Sequence, residues 1–203
     1  MLTPGYHKHN DTLTKIDLTG NEIRTSGGTE ISDYLARNTS LEKLCLDKNH
    51  LNHDDFVLIA RALKQNHNLR HIHLGNMAAG RKALSKAVYD DGSLNAMSDT
   101  NHSCTIEGIG YFNITNHRDA DVRENRRSKI YSLLSSRNTE GNNVHHFQLE
   151  LSDDSLKLAP KVLECVHRYS QNRWRDTVNP LSITYEVLRG WHMPTLYEGR
   201  SAP

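Results

Sequence analysis

The stretch LEKLCLDKNHLNHDDFVLIARALKQNHN, residues 41–68, decides the fold, because its pattern also stands before it and after it in the chain. Leu13, Leu41 and Leu69 begin three successive copies at a spacing of 28 residues. Each copy continues with apolar residues at its fourth and sixth positions, which are Ile16 and Leu18, Leu44 and Leu46, and Ile72 and Leu74. A fixed period of this length is the sequence signature of a solenoid, in which each unit stacks on its neighbours.

One copy is predicted to form a strand followed by a helix. Leu44 and Leu46 alternate with Cys45, so the leucines should face the core and the cysteine the opposite, exposed side of the strand. The helix follows from apolar residues at positions 56, 59, 60 and 63, which share one helical face. Asp54 and Asp55 suit its N-terminus, where the helix dipole favours negative charge.

These residues resemble a known family of repeats. LTKIDLTGNEI and LEKLCLDKNHL are similar to the LxxLxLxxNxL signature of ribonuclease-inhibitor-like leucine-rich-repeat proteins, which have a long helical second half in each repeat. LNAMSDTNHSCTI and the later WHMP also resemble short, uncharacterised leucine-rich-repeat proteins of unicellular algae, for which the resemblance implies no function. The resemblance to leucine-rich repeats implies an α/β solenoid with parallel strands on the concave face, helices outside and a helical C-terminal region.

The repeats divide the chain into three parts. Residues 1–12 are polar and form a loose leader, residues 13–116 carry three clear repeats and one degenerate repeat, and residues 117–203 form a helical cap. The fourth copy begins at Leu94, which would place Asn95, Ala96 and Ser98 on the last strand. Asp99 then occupies a position that should be apolar, while Asn101 starts a turn before re-entry.

The C-terminal part shows helical stripes. Val122, Ile130, Leu133 and Leu134 are the predicted buried residues of its first helix. HFQLEL, residues 146–151, is predicted to form a short strand or an extended linker. A further helix covers residues 156–166, and the last begins at Pro180 after an Asn179 N-cap.

Composition limits the classes of partner. The net charge is +1 with 24% charged residues, so no strong overall field favours nucleic acid or an anionic membrane. The opening MLTPGYHKHN lacks the apolar run of a secretory signal, and no segment is long and apolar enough to span a bilayer. We therefore expect the cytoplasm, or the nucleus, and three reduced cysteines.

The predicted binding surface is the side of the strands that faces away from the core. Equivalent positions of neighbouring strands lie about 4.8 Å apart, so a partner would contact several repeats at once. The candidate partner-binding residues are Lys15, Asp17, Glu42, Lys43, Cys45, Asp47, Arg70, His71 and His73. By analogy with the repeat family, we expect a non-catalytic protein-protein interaction module that requires no cofactor.

Three other functions were weighed against protein binding. Cys45, His71 and His73 are soft ligands on one predicted face, but no paired metal-ligand motif supports zinc there. Basic residues in the helix at 118–129 could contact RNA phosphates, namely Arg118, Arg123, Arg126, Arg127 and Lys129, although three acidic residues interleave with them. LAPKVLECVHRY resembles the start of an F-box, which implies an adaptor of a ubiquitin-ligase-like complex.

GxGxxG, P-loop and GxSxG motifs are absent from the sequence, so no enzyme is predicted.

The N-terminal end of the repeats is predicted to be poorly covered. The leader offers Leu2 and Tyr6 against the first repeat, which are too few to cover it. We expect either further repeats upstream or association of two copies through this edge.

Overall fold

Four short parallel strands and eight helices make up the described part of the chain. A computed structural model describes residues 12–37, 40–75, 80–107, 109, 116–117, 120–150, 159–172 and 180–190. The elements in chain order are β1 (Lys15–Asp17), α1 (Glu30–Ala36), β2 (Lys43–Cys45), α2 (His53–Gln65), β3 (His71–His73), α3 (Arg81–Val88), α4 (Leu94–Ser98), β4 (Thr105–Glu107), α5 (Val122–Thr139), α6 (Asn143–Glu150), α7 (Ala159–Asn172) and α8 (Pro180–Gly190). Among these residues, no helix combines the length and apolarity needed to cross a membrane.

The strands lie in chain order in a single parallel sheet. β1 pairs with β2, β2 with β3 and β3 with β4, and Ile16, Leu44, Ile72 and Ile106 occupy one row of the register. The predicted α/β class is therefore confirmed, and the 28-residue spacing of the first three strands is the spacing of the sequence repeat. This register brings residues from four strands side by side on the sheet.

The core lies where the inward strand residues meet the helices. Leu44 and Leu46 are 4% and 1% exposed, which confirms their predicted burial, whereas Ile16 and Leu18 of the first copy are only partly buried. Leu41 and Leu69 are fully buried, whereas Leu13, which begins the first copy, is 44% exposed. The first copy is therefore the least covered of the three.

Helix α2 has the most complete local signals. Asn52 precedes it, and its side-chain oxygen accepts hydrogen bonds from the N–H groups of Asp54 and Asp55. The Asp55 carboxylate in turn accepts from the Asn52 N–H at 2.7 Å, which completes a capping box. The predicted role of the two aspartates at a helix start is confirmed.

A buried asparagine joins the end of α2 to the next strand. Asn66 is fully buried, and its side-chain amide donates to the Leu35 carbonyl of the preceding repeat at 2.7 Å. Its side-chain oxygen accepts from the N–H groups of Asn68 and Leu69. One side chain thus holds two repeats together and shapes the turn that leads into β3.

The same arrangement recurs before β4. Asn101, 1% exposed, donates to the carbonyls of Leu63 and Asn66 at 2.6 and 2.7 Å and accepts from the Cys104 N–H at 2.6 Å. Asn116 continues the series by donating to the Cys104 carbonyl at 2.8 Å. We call Asn66, Asn101 and Asn116 the asparagine ladder. It satisfies buried backbone groups that would otherwise lack partners.

The fourth copy departs from the prediction. Asn95, Ala96 and Ser98 lie in helix α4, not on a strand, and the fourth strand is Thr105–Glu107. Ser93 explains the helix, because its hydroxyl accepts from the Ala96 N–H at 2.9 Å as an N-cap. The predicted placement of the last strand at Leu94 is therefore wrong.

The chain divides into two compact units. The first contains residues up to 89 and residues 100–121, with the sheet and α1–α3, and the second contains residues 90–99 and 122 onward, with α4–α8. The second unit has an apolar interior built from several helices, and its buried apolar residues are Leu94, Met97, Tyr131, Leu133, Leu134, Phe147, Val162, Cys165, Val166, Ile183 and Val187.

Three C-terminal expectations have different outcomes. The strand or linker predicted at 146–151 is wrong for its described residues, since α6 runs to Glu150 and buries Phe147 one turn after Asn143. Val122 was expected in the core but is 37% exposed at the first position of α5. The start of the last helix at Pro180 is confirmed, while Asn179 and the residues after Gly190 lie outside the described residues.

Candidate functional site

The candidate site is the sheet face that turns away from the core, and it consists of two adjacent rows. The third-position row contains Lys15, Lys43, His71 and Thr105, and the fifth-position row contains Asp17, Cys45, His73 and Glu107. Residues two apart on a strand are separated by about 6.6 Å. A row with two lysines therefore runs beside a row with two carboxylates.

His73 is the centre of the acidic side of this face. Its Nδ1 lies 2.7 Å from the Asp47 carboxylate and 3.5 Å from that of Glu107. The His73 side chain is 44% exposed, whereas that of Asp47 is only 13% exposed. The imidazole thus bridges two carboxylates while keeping one ring edge open to solvent.

Asp17 adds a third carboxylate to this side. Hydrogen bonds from Thr19 lower the pKa of the Asp17 carboxyl, with smaller effects from the charges of Lys43 and His73. The Thr19 N–H donates to its Oδ1 at 2.9 Å. Asp17 therefore stays ionised to lower pH than an ordinary aspartate.

Cys45 lies on the predicted row but is less exposed than expected. It occupies the fifth-position row between Asp17 and His73, and the residue is 7% exposed and therefore buried. Burial raises the pKa of the thiol, so it is neutral and a poor nucleophile or metal ligand at neutral pH. The prediction that Cys45 is exposed is therefore wrong, because alternation along a strand fixes the side on which a residue lies and not how much of it solvent reaches.

A pocket opens beside this row, at the carboxyl ends of β1–β3. Its volume is about 610 Å³, and its lining combines carboxylates with apolar side chains. The lining residues are Asp17, Thr19, Cys45, Asp47, Lys48, Asn49, Leu51, Phe56, His73, Leu74 and Gly75. Gly75 has φ +66°, and a Cβ there would meet the Asp47 Oδ1 at 2.9 Å, so its small size keeps the Asp47 carboxylate in place.

The asparagine of the repeat signature forms one wall of the pocket. The Asn49 amide donates to the carbonyls of Leu18 and Leu46, both at 2.9 Å. Its oxygen accepts from the N–H groups of Asn21 and Ile23. Asn49 therefore fixes two neighbouring loops to one another and makes this wall rigid.

The other predicted residues flank the rows. The side chains of Glu42 and Arg70 are exposed. Their backbones join neighbouring strands, since the Arg70 N–H donates to the Glu42 carbonyl at 2.8 Å. Within the described part of the chain, neither side chain belongs to an ion pair. Both are thus available beside the lysines of the third-position row.

Sequence reasoning missed Thr105 and Glu107, because it placed α4 residues on the fourth strand. A usable signal was present: Asn101 precedes Cys104 by three residues, as Asn66 precedes Leu69. The apolar pocket walls Leu51 and Phe56 were also missed as site residues.

The basic residues considered for RNA do not form one exposed surface. Arg118 lies outside the described residues, Lys129 is 2% exposed, and Arg126 donates to the Ser98 carbonyl at 3.3 Å. The segment similar to an F-box lies on α7, where Val162 and Val166 are buried inside the second unit. Across the described residues, no group of three or more His, Cys, Asp or Glu side chains is arranged to hold a metal ion.

The fold and the site define an α/β protein with a charged, pocketed sheet face, and comparison with known proteins adds one local similarity. Over 61 residues the chain is 41% identical to capping protein, Arp2/3 and myosin-I linker protein 3 from human, rat and mouse. This segment is 30% of the present chain and 4% of each relative, so the match covers only a small part of those proteins. No protein-family model matches the chain, and no solved structure matches it.

Proposed function

We propose that residues 13–116 form a ribonuclease-inhibitor-like leucine-rich-repeat solenoid that acts as a non-catalytic protein-protein interaction module. The strand pairing supports this proposal, because Lys15, Lys43 and His71 share one row at the repeat spacing of 28 residues. The asparagine ladder links successive repeats through buried hydrogen bonds. In this interpretation the α4 segment is an insertion in the fourth repeat.

The observation that carries the proposed function is the pocket beside the fifth-position row. Interfaces draw most of their binding energy from a few side chains that enter well-packed, desolvated pockets. Leu51, Phe56 and Leu74 provide apolar contact in this pocket. The neighbouring carboxylates would orient a bound side chain by attracting its positively charged end. A partner side chain that is apolar along its stem and positively charged at its tip fits both parts.

The two charged rows would orient the partner. Lysines in the third-position row attract acidic groups, and the carboxylates of the fifth-position row attract basic groups. Because the rows differ in sign, a partner docked in the reverse direction meets like charges on both. This mechanism gives orientation and a salt-dependent association rate more than affinity.

The local relative suggests which partners to test first. The name of that protein describes a linker of capping protein, Arp2/3 and myosin-I. We take these three proteins as the first candidates for the strand face, together with any protein captured from the source cell and identified by mass spectrometry. Direct affinity measurement with each purified candidate then shows which of them binds this protein.

The test is charge reversal on the strand face. Lys43→Glu with Arg70→Glu should weaken binding of a captured partner at least about tenfold, or ~1.4 kcal/mol, with an unchanged circular dichroism spectrum. The matched control reverses Arg61 and Lys64, two exposed cations on α2 that are not on the sheet. Equal affinity of the strand-face variant and wild type would refute the assigned surface, and failure of the wild type to bind any candidate or captured protein directly would refute the module.

A further inference from the structure

A second concave site lies within the helical unit, between α4, α5 and α7. The groove has a volume of about 270 Å³. Its lining residues are Leu94, Asn95, Ser98, Arg126, Arg127, Ile130, Lys161, Val162, Glu164 and Cys165. None of these residues belongs to the strand face, so the groove is independent of the proposed function.

The floor of the groove is aliphatic and firmly held. Leu94, Val162 and Cys165 are buried, with exposed fractions of 6%, 8% and 7%, yet all three border the open space. The Cys165 thiol donates to the Arg127 carbonyl at 3.5 Å, which fixes α7 against α5. Burial raises the pKa of this thiol to about 12, so the floor is uncharged at neutral pH.

The rim of the groove is positively charged. Arg126, Arg127 and Lys161 face one carboxylate, that of Glu164, which already pairs with Arg168 at 2.8 Å. In the described residues, no carboxylate lies within ion-pair distance of Arg127 or Lys161. Among the described residues, the rim therefore places three cations and one carboxylate, itself paired with Arg168, around an apolar floor.

We infer that this groove binds an acidic segment of a partner protein that inserts one large aliphatic side chain between flanking carboxylates. The volume lies just below the ~300–1,000 Å³ of typical small-molecule sites, so it suits a side chain better than a cofactor. Single-stranded RNA is the weaker fit, because sites for it usually stack bases on aromatic side chains, and this lining contains none.

The probe is a fluorescein-labelled peptide in which one leucine is flanked on each side by two glutamates, titrated with the full chain and followed by anisotropy. Arg127→Glu and Lys161→Glu should each weaken binding at least about fivefold, because each puts a like charge against the peptide. Arg123→Glu is the matched control, since Arg123 is exposed on the same helix one turn away and does not line the groove. Its affinity should stay within about twofold of wild type.

Two further comparisons keep the test specific. Replacing the peptide leucine by serine should lower affinity at least about fivefold, since the apolar floor is then left without its contact. The strand-face variant with Lys43→Glu and Arg70→Glu should bind the peptide as the wild type does, and Arg127→Glu should not affect a strand-face partner. The inference fails if Arg127→Glu and Lys161→Glu both bind like Arg123→Glu, if the serine peptide binds equally, if no saturable binding is seen, or if an RNA oligonucleotide binds more tightly than the peptide.

Discussion

Removal of the Asn101 side chain should cost more stability than the loss of any exposed polar residue. In Asn101→Ala, the carbonyls of Leu63 and Asn66 and the N–H groups of Ser103 and Cys104 all lose a partner in a buried region. The Leu63 carbonyl keeps a hydrogen bond from the Asn66 N–H, so three groups are left unsatisfied. Each such buried group costs about 1–3 kcal/mol, so we expect a loss of about 3 kcal/mol or more. That is a large share of the ~5–15 kcal/mol that stabilises a typical domain.

The assay is urea unfolding followed by far-ultraviolet circular dichroism, with hydrogen exchange to assign the effect to the repeats. Asn142→Ala is the matched control, because Asn142 is exposed and its side-chain amide makes one exposed hydrogen bond to Glu140. Asn101→Asp keeps an acceptor oxygen but replaces the donating amide by a second, charged acceptor, and it should be as destabilising as the alanine variant at neutral pH. A loss below about 1 kcal/mol for Asn101→Ala, similar to that of Asn142→Ala, would refute the stabilising role of the asparagine ladder.

The remaining predictions concern packing, an edge and a thiol. Leu46→Ala should cost about 2–5 kcal/mol in urea unfolding, and Cys45→Ser less than half as much, because only the leucine contributes to the shared core; the reverse order would contradict the strand register. Amides of residues 13–37 should exchange with deuterium faster than those of 41–74 in dilute protein, since among the described strands β1 pairs only with β2; equal protection in a strictly monomeric sample would show that this edge is covered. The pKa of Cys165 is raised from 9.0 to about 12, so its contribution to stability is complete below pH 9 and is lost between pH 9 and 12; Cys165→Ala should flatten this alkaline decline in thermal unfolding, and an unchanged slope would contradict it.

The repeat core could be predicted from sequence because burial there is periodic. Apolar residues recur every 28 residues at the positions of Leu44 and Leu46, so their inward direction follows from alternation alone. The capping role of Asp55 follows equally from local sequence, since a helix start needs an acceptor within one turn. Local and periodic signals agree in the second copy, and the predicted burial of its leucines and the predicted start of its helix are confirmed there.

The fourth strand could not be placed because two signals compete. Leu94 stands where a new copy would begin, but Ser93 is an N-cap and starts a helix instead. The strand comes after Asn101, whose partners lie in earlier repeats. That dependence on distant backbone groups is not visible in a local pattern.

The sequence predicted which residues share a row of the candidate site, but it did not predict how exposed each of them is. Alternation correctly grouped Asp17, Cys45 and His73 on one row. Alternation does not give the exposure of each residue, and Cys45 is buried although it lies on the outward row. Glu107 belongs to the same row through the pairing of β4 with β3, which the sequence did not predict.

The position of α4 has a consequence for the order in which the protein is made. Leu94 and Met97 are buried within the second unit, but the helices that bury them are synthesised only after residue 121. At ~5–20 residues per second, a ribosome needs roughly 2–8 s to extend the chain about forty residues to the end of α5. Until α5 is complete, the apolar side of α4 lacks the helix that covers it, and such unburied apolar surface is prone to aggregation. A truncated chain ending near residue 121 would retain this exposed segment permanently and should aggregate.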